Sequence, residues 1–212
     1  MKALIIGATG ATGKDLLDIL LKDEDYAEIV IFVRRPGGIT HPKLIEIVTN
    51  FDQLEDISGH IQGDVLFSCI GTTRKEAGSR KKQWHIHLEI PLEYTAIAKR
   101  NGIPKIVLLS AYGASATSNV FYSRMKGELE EGIAGLAFEQ HTIFRPGLLL
   151  RDGSDRAGER ISEGLLCLFN SLGLFWKFQP LPTAVLAEKL AKAPKVLTGG
   201  QHLIELDKIF EF

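Results

Sequence analysis

Hydrophobic and polar positions along the chain form two alternating patterns. The first is a short apolar or β-branched run, which predicts a buried strand. The second is a longer segment in which apolar residues recur every three or four positions, which predicts an amphipathic helix. Predicted strands cover residues 3–6, 29–33, 44–48, 65–69, 106–109 and 141–144. Predicted helices cover residues 14–22, 82–100 and 122–133.

Strands that alternate with helices indicate an α/β fold with a parallel, doubly wound sheet and helices on both faces. The pattern changes after Arg145-Pro146-Gly147, where a charged loop precedes an apolar stretch and a last helix over about residues 183–197. We expect this tail to form a small cap on the sheet, with residues 148–182 on the substrate side. The whole chain, residues 1–212, is then a single domain.

Composition narrows the classes of partner. The chain has 212 residues, of which 45% are apolar, and a formal net charge of -1 with a sequence pI of about 6.6. Because there is no basic excess to indicate nucleic acid, a small molecule is the better candidate ligand. Cys69 and Cys167 are far apart and lack CxxC spacing, which argues against a zinc site or a disulfide. We expect both thiols to be reduced and buried.

Two features bear on the compartment. The sequence MKALIIGATG reaches glycine after four apolar residues, which is too short for the apolar region of a signal peptide. The longest apolar stretch, residues 165–176, is broken by polar residues and glycine and is too short for a membrane span. We therefore expect a cytoplasmic protein with no membrane partner.

The first candidate for chemistry is the sequence GATGATGK, residues 7–14, between a predicted strand and a predicted helix. An ATP-binding P-loop would need glycine at position 8 and Ser or Thr at position 15, where this chain has alanine and aspartate. The remaining pattern, Gly7-x-x-Gly10-x-x-Gly13, suits a tight turn that admits a dinucleotide pyrophosphate to the helix N-terminus. A tight turn with no ligand is the alternative. The predicted cofactor contacts of this loop are Gly7, Thr9, Gly10, Ala11, Thr12 and Gly13.

The residue that reads the adenosine ribose is expected about 20 residues further on, at the end of the second strand. That position holds Arg34 and Arg35, where an NAD-specific protein would carry an acid. A guanidinium neutralises a 2'-phosphate, so this pair favours NADP(H), and a solvated pair at a strand end is the alternative. Phe51 and Asp52 follow the third strand, where the adenine ring should lie. Asp52 is placed to accept from the adenine amino group, or else to be solvated.

A second group of residues offers acid-base chemistry. Ser110 ends a predicted strand, and Tyr122 and Lys126 are four residues apart on the next predicted helix, so they share one helical face. A nearby ammonium and an oxidised nicotinamide both lower the pKa of a phenol from about 10. Tyr122 then moves a proton to or from a carbonyl or alcohol oxygen, which Ser110 hydrogen-bonds, while Lys126 holds the nicotinamide ribose. The alternative is a core tyrosine beside a surface lysine.

These motifs, together with Arg145-Pro146-Gly147, resemble those of the atypical short-chain dehydrogenases/reductases. The segments SCIGTTRKEAGS, LLSAYGASATSNVFYSRMKGELE and FRPGLLL are similar, more narrowly, to the branch named for the human HIV Tat-interacting oxidoreductase-like protein, a relative of NmrA-like NADP-binding proteins. The resemblance covers residue 1 to about residue 151 and continues more weakly to the last helix. It implies a Rossmann fold that binds NADP(H), with a catalytic set of Ser110, Tyr122 and Lys126. It also implies cofactor contacts at Cys69, Gly71, Thr72, Tyr122, Lys126, Pro146 and Gly147.

The sequence departs from this family pattern at His87, where relatives generally carry Asp or Asn. We expect His87 to pack on the inner face of its helix, and a proton relay is the alternative. The basic run RKEAGSRKK, residues 74–82, has no interleaved aromatic residues, so we expect a solvated loop and not a nucleic-acid site. The apolar stretch GLLCLFNSLGLFW, residues 164–176, is expected to form a substrate lid or a subunit interface, not a membrane surface.

The sequence thus predicts an NADP(H)-dependent oxidoreductase that transfers hydride to or from a carbonyl or alcohol substrate. The alternative is a dinucleotide-binding redox sensor that acts through a protein partner with little turnover. The intact serine, tyrosine and lysine set favours the enzyme, because a sensor does not need a proton donor. The expected partner is a small molecule, with no metal and no nucleic acid, and a protein partner or a homodimer is left open.

Overall fold

The computed structural model describes residues 1–150 and 179–212. Its strands are β1 (Lys2–Ile6), β2 (Glu28–Val33), β3 (Leu44–Val48), β4 (Val65–Ser68), β5 (Lys105–Leu109), β6 (Gln140–Arg145), β7 (Leu149–Leu150), β8 (Leu181–Pro182) and β9 (Gly200–Glu205). Its α-helices are α1 (Ala11–Lys22), α2 (Arg74–Ala77), α3 (Arg80–Trp84), α4 (Ile90–Arg100), α5 (Phe121–Ala134), α6 (Thr183–Val196) and α7 (Lys208–Glu211). A 3-10 helix covers Leu54–His60, and a π-helical turn, His85–Glu89, joins α3 to α4.

Seven parallel strands form one sheet in the order β3-β2-β1-β4-β5-β6-β9. The chain runs from β1 to β3 toward one edge, returns to place β4 beside β1, and then continues toward the other edge. The strand order therefore reverses between β1 and β4, and open α/β sheets bind ligands beyond the carboxyl ends of the strands at such a point. The predicted Rossmann-type, doubly wound parallel sheet is confirmed.

Two apolar layers cover the two faces of the sheet. One layer lies between the sheet and helices α1 and α6 and includes Leu16, Leu20 and Leu186. The other lies between the sheet and helices α4 and α5 and includes Tyr94 and Met125. Strands β1, β2 and β4 have consecutive buried residues because helices cover them on both sides. This burial explains why those strands are continuous apolar runs in the sequence.

The predicted strands correspond to β1–β6, and each end differs by at most one residue. The prediction of a loop at residues 74–82 was wrong, because this run contains α2 and the first three residues of α3, but its residues are exposed as predicted, apart from Ala77. The side chain of Thr73 accepts from the backbone N–H of Glu76, and that of Ser79 accepts from the backbone N–H of Lys82. These caps stabilise two short helices in a stretch that has no apolar periodicity.

The C-terminal tail contributes to the sheet itself. Helix α6 matches the predicted last helix, but strand β9, which pairs with β6, was not predicted. Gly200, Gln201 and Leu203 are exposed on this edge strand, so its sequence lacks the continuous apolar run of a central strand. Most of the expected cap, residues 151–178, lies outside the described residues, as does the apolar stretch 164–176. The two short strands at the ends of the expected cap, β7 and β8, pair with each other in parallel.

Candidate functional site

The predicted site residues follow the carboxyl ends of six neighbouring strands. Because these strands are parallel, the positions after them share one edge of the sheet. In sheet order, β3 is followed by Phe51 and Asp52, β2 by Arg34 and Arg35, β1 by the glycine loop, β4 by Cys69, Gly71 and Thr72, β5 by Ser110, and β6 by Pro146 and Gly147. Helix α5, which follows Ser110 in the chain, carries Tyr122 and Lys126.

The glycine loop excludes side chains at two positions. Gly7 has a φ of 86°, and a Cβ there would lie 2.5 Å from the carbonyl carbon of Cys69. A Cβ at Gly13 would lie 2.1 Å from the carbonyl oxygen of Gly7. These two glycines therefore let the ends of β1 and β4 and the first turn of α1 pack closely together.

Gly10 has a different environment from its two neighbours in the motif. It is the exposed N-cap of α1, and a Cβ there would meet the carbonyl oxygen of Gly7 at 3.3 Å. Since Gly10 has no side chain to accept from the N–H groups of the first turn, these groups are left for water or an anion. Thr9 and Ala11 are exposed beside it, whereas Thr12 is buried.

His87 joins the loop after β4 to the predicted catalytic tyrosine. Its ring is buried, and Nε2 lies 2.8 Å from the backbone nitrogen and 2.7 Å from the carbonyl oxygen of Thr72. The same ring meets the Tyr122 ring edge-on, with the centroids 5.7 Å apart. Burial, and then the charge of Lys126, lowers the pKa of His87 to about 4, so the imidazole is neutral at physiological pH. His87 thus packs against Tyr122 and hydrogen-bonds the Thr72 backbone, while its buried Nδ1 has no hydrogen-bond partner among the described residues, and its role in packing stays a prediction.

The adenine side of the site contains a pairing that the sequence analysis missed. Asp52 accepts a hydrogen bond from His85 Nε2 at 2.8 Å, and Glu89 accepts from His85 Nδ1 at 2.6 Å. Glu89, followed by Asp52, raises the pKa of His85, which favours the imidazolium that donates to both. Asp52 therefore ties the loop after β3 to the turn before α4, and its contact with adenine stays a prediction.

The remaining residues of the adenosine side are partly or fully exposed. Arg34 and Arg35 are exposed directly after β2, where a ligand can reach their guanidinium groups. Phe51 is half-buried and packs against the apolar layer under α4. The positions are those expected of residues that bind an adenosine phosphate, and these cofactor contacts remain predictions.

The predicted catalytic residues come from the end of β5 and the start of α5. The Ser110 hydroxyl is buried and donates to the carboxylate of Glu130. Lys126 Nζ donates to the carbonyl oxygen of Leu109, the residue before Ser110, at 3.0 Å. Tyr122 is 41% exposed, one turn before Lys126 on the same helix. A bound substrate can therefore reach Tyr122, while Lys126 lies behind it in the protein interior.

Burial sets the charge state of two neighbouring groups. Desolvation lowers the pKa of the Lys126 ammonium to about 8, although the negative charge of Glu130 opposes this shift. Desolvation also raises the pKa of the Cys69 thiol to about 12 despite the charge of Lys126, so this thiol is protonated and unreactive. Cys69 is free and buried, as predicted. Cys167 lies outside the described residues.

Sequence reasoning missed a buried ion-pair network beside Ser110. Glu130, one further turn along α5, is 6% exposed. Arg145, the last residue of β6, donates from Nε to its Oε1 at 3.0 Å and from Nη2 to its Oε2 at 2.5 Å. Arg145 Nη1 also donates to Glu205 of β9 at 2.8 Å. The available signals were the i, i+4 spacing from Lys126 to Glu130 and the arginine directly before Pro146.

The loop after β6 borders the same site. The backbone N–H of Tyr112 donates to the carbonyl oxygen of Pro146 at 2.9 Å, which ties this loop to the loop after β5. Gly147 is exposed, and a Cβ there would approach the Leu206 side chain to 3.2 Å.

Residues 1–150 and 179–212 contain no cluster of three or more His, Cys, Asp or Glu side chains suited to a metal ion. In those two ranges no helix combines the length and apolarity that crossing a membrane requires.

Proteins of known sequence match most of the chain. A family model described as NAD(P)H-binding matches residues 7–164. Protein HTATIP2 of Rattus norvegicus is 33% identical over 177 residues, which cover 81% of this chain and 72% of the rat protein. Protein FMP52, mitochondrial, of Saccharomyces cerevisiae is 34% identical over 166 residues, which cover 74% of this chain and 71% of the yeast protein.

Solved structures share the fold at low sequence identity. A short-chain dehydrogenase/reductase superfamily protein from Agrobacterium tumefaciens with bound NAD superposes with a TM-score of 0.73 at 14% identity, covering 97% of this chain and 77% of that protein. UDP-glucose 4-epimerase of Thermotoga maritima with UDP-glucose superposes with a TM-score of 0.73 at 12% identity, covering 100% of this chain and 81% of the epimerase.

Proposed function

Because the chain belongs to the NAD(P)H-binding, atypical short-chain dehydrogenase/reductase family, we propose that it transfers hydride between NADP(H) and a carbonyl or alcohol substrate. One observation carries this proposal. The glycine loop, the arginines after β2 and the α5 face with Tyr122 and Lys126 share one edge of the sheet. The cofactor and the proton-transfer residues then meet at the point where the strand order reverses.

The residues present fit a dinucleotide. The close approach of Gly7 to the end of β4 and of Gly13 to Gly7 leaves a turn without side chains, which α1 follows directly. Gly10 and the free N–H groups of this first turn would hold the pyrophosphate, and Arg34 with Arg35 would hold the 2'-phosphate. When bound, NADPH supplies the hydride for carbonyl reduction.

The proton chemistry belongs to residues of the chain itself. In carbonyl reduction, Tyr122 donates its phenol proton to the substrate oxygen, and in alcohol oxidation the phenolate takes that proton back. The Lys126 ammonium stabilises the phenolate and holds the nicotinamide ribose. Ser110 hydrogen-bonds the substrate oxygen on which negative charge develops. The neutral, buried His87 keeps Tyr122 in place through ring packing.

Cofactor selectivity gives the first prediction. If Arg34 binds the 2'-phosphate, calorimetry is expected to show NADPH binding at least about tenfold tighter than NADH, or about 1.4 kcal/mol. Arg34→Glu is expected to erase or reverse this preference, because a carboxylate repels the phosphate and accepts from a free 2'-hydroxyl. Lys22→Glu, at the far end of α1, is the charge-matched control and is expected to keep the preference. Equal affinity for both cofactors in the unmutated protein would contradict this assignment and leave Arg34 and Arg35 as a solvated pair at the strand end.

The proposals for the substrate class and the cellular location are based on the sequence. A panel of aldehydes, ketones and quinones, assayed by NADPH oxidation, tests the proposed turnover directly. Tight NADPH binding without turnover on this panel favours the redox sensor with a protein partner.

We keep the cytoplasm as the proposed location, and mitochondria are the competing location because the FMP52 relatives are named as mitochondrial proteins. Nucleic acid and membranes are not among the proposed partners.

A further inference from the structure

The ion-pair network at Glu130 lies directly behind Ser110, and the proposed chemistry does not use it. We infer that Glu130 is a positioning residue that holds the Ser110 hydroxyl proton in the ground state and yields it to the substrate oxygen as negative charge develops there. Ser110 then contributes to kcat and little to KM. This inference rests on the proposed function, because it assigns a role within the same reaction.

The contacts of Glu130 identify it as an ionised acceptor. Arg145 donates to both carboxylate oxygens, from Nε to Oε1 at 3.0 Å and from Nη2 to Oε2 at 2.5 Å. A guanidinium that donates to both oxygens of a carboxylate stabilises its ionised form. An ionised carboxylate accepts hydrogen bonds only, so the proton in the contact with Ser110 comes from the serine hydroxyl.

The serine hydroxyl has one proton, and a substrate oxygen must compete with Glu130 for it. A hydrogen bond to an ionised group is roughly twice as strong as one between neutral groups. A neutral carbonyl oxygen is therefore the weaker acceptor, and the proton stays on the Glu130 side when the substrate binds. Ser110 accordingly adds little to the affinity for the substrate in the ground state.

The competition changes as hydride arrives at the carbonyl carbon. The substrate oxygen then gains anionic character and becomes an acceptor comparable to a carboxylate. Arg145 donors remain on both oxygens of Glu130, so that carboxylate stays hydrogen-bonded after the Ser110 proton turns away. An interaction that strengthens only in the transition state raises kcat and leaves KM nearly unchanged. No covalent bond to the serine proton breaks, because only its hydrogen-bond acceptor changes.

Glu130→Gln tests this role. With its amide oxygen in place of Oε2, glutamine can accept from Arg145 Nε and Nη2, which lie 3.2 and 2.5 Å from that atom, and its nitrogen can donate to Ser110, although Arg145 Nε lies 3.0 Å from the position of that nitrogen. The Ser110 proton is then free to bind the carbonyl in the ground state. We expect KM for carbonyl reduction to fall by about three- to tenfold, the usual contribution of one hydrogen bond. We expect kcat not to fall, because the Ser110 proton no longer has to leave a charged acceptor, so kcat/KM is expected to rise by at least about threefold.

Two controls separate positioning from packing. Glu205→Gln removes the other partner of Arg145, which does not contact Ser110, and is expected to change neither KM nor kcat. In a Ser110→Ala background, Glu130→Gln is expected to have no further effect, because Glu130 acts through the hydroxyl. A KM that rises in Glu130→Gln, or an effect of equal size in the Ser110→Ala background, contradicts the inference and indicates a structural ion pair.

A measurement on the wild-type protein does not need turnover or a stable variant. Neutron diffraction from deuterium-exchanged crystals locates the hydroxyl deuteron of Ser110, which we expect on the line to Glu130. A deuteron directed elsewhere overturns the inference whether or not the protein reduces any carbonyl. If no substrate is turned over but the deuteron lies toward Glu130, the proposed function fails and the hydrogen bond from Ser110 to Glu130 stands. The kinetic role of Glu130 then fails together with the proposed function.

Discussion

Replacing Tyr122 with phenylalanine is expected to slow carbonyl reduction by about 10² to 10⁴-fold, the usual contribution of general acid-base catalysis. The substitution removes the phenol hydroxyl but keeps the ring that packs edge-on against His87. NADPH affinity is therefore expected to stay within about twofold of wild type, because the fold and the cofactor cleft are unchanged. Steady-state kinetics on any substrate that wild type reduces, with calorimetry for NADPH, measures both quantities.

Tyr112 provides a matched control for this substitution. It is exposed to a similar extent, 47% against 41% for Tyr122, but no lysine follows it at the i+4 position. Tyr112→Phe is expected to leave the reduction rate near that of wild type. An unchanged rate in Tyr122→Phe would remove this hydroxyl from the mechanism and leave Tyr122 as a packing residue beside the nicotinamide.

The second large effect is expected at the glycine loop. In Gly13→Ala the new Cβ would lie 2.1 Å from the carbonyl oxygen of Gly7, a backbone atom that cannot rotate away. The first turn of α1 has to move from β1, which costs about 1–3 kcal/mol of overpacking and separates the N–H groups from the pyrophosphate. We expect NADPH affinity to fall by more than about 100-fold, measured by calorimetry, and the urea midpoint to decrease.

Two other glycines separate loss of binding from loss of folding. A Cβ at Gly59 meets nothing within 4 Å, so Gly59→Ala is expected to bind NADPH as wild type does. A Cβ at Gly10 has one close neighbour at 3.3 Å, so Gly10→Ala is expected to fold normally and still weaken NADPH binding at the helix N-terminus. Normal NADPH affinity in both Gly13→Ala and Gly10→Ala would contradict a cofactor site at this loop.

The central part of the fold is readable from the sequence because each central strand is buried on both faces. Strands such as β1 and β4 must then be uninterrupted apolar runs, and the intervening segments must be helical to cross over the sheet. Edge strand β9 escapes this constraint, because Gly200 and Gln201 are exposed and need not be apolar. Helix α2 and the start of α3 were not predicted either, since capping by Thr73 and Ser79 gives no periodic signal, whereas residues 82–84 of α3 lie within the predicted helix 82–100.

Positions of the candidate site residues follow from the parallel topology, but their partners do not. A residue after a strand end must lie at the carboxyl edge, which is why Ser110 and Gly7 could be placed at the site before the structure was known. Contacts between distant segments depend on packing, and the sequence does not indicate which acid approaches which base. The Asp52–His85 bond and the bond from Ser110 to Glu130 are of this kind.

Hydride transfer is the central claim, and isotope transfer tests it most directly. The protein is incubated with NADPH that carries deuterium at the transferable position of the nicotinamide, together with a panel of aldehydes and ketones. Mass spectrometry is expected to find one deuterium on the former carbonyl carbon of at least one alcohol product, with the yield lowered by about 10² to 10⁴-fold in Tyr122→Phe. Saturating NADPH binding without deuterium in any product would contradict the oxidoreductase and leave a cofactor-binding sensor.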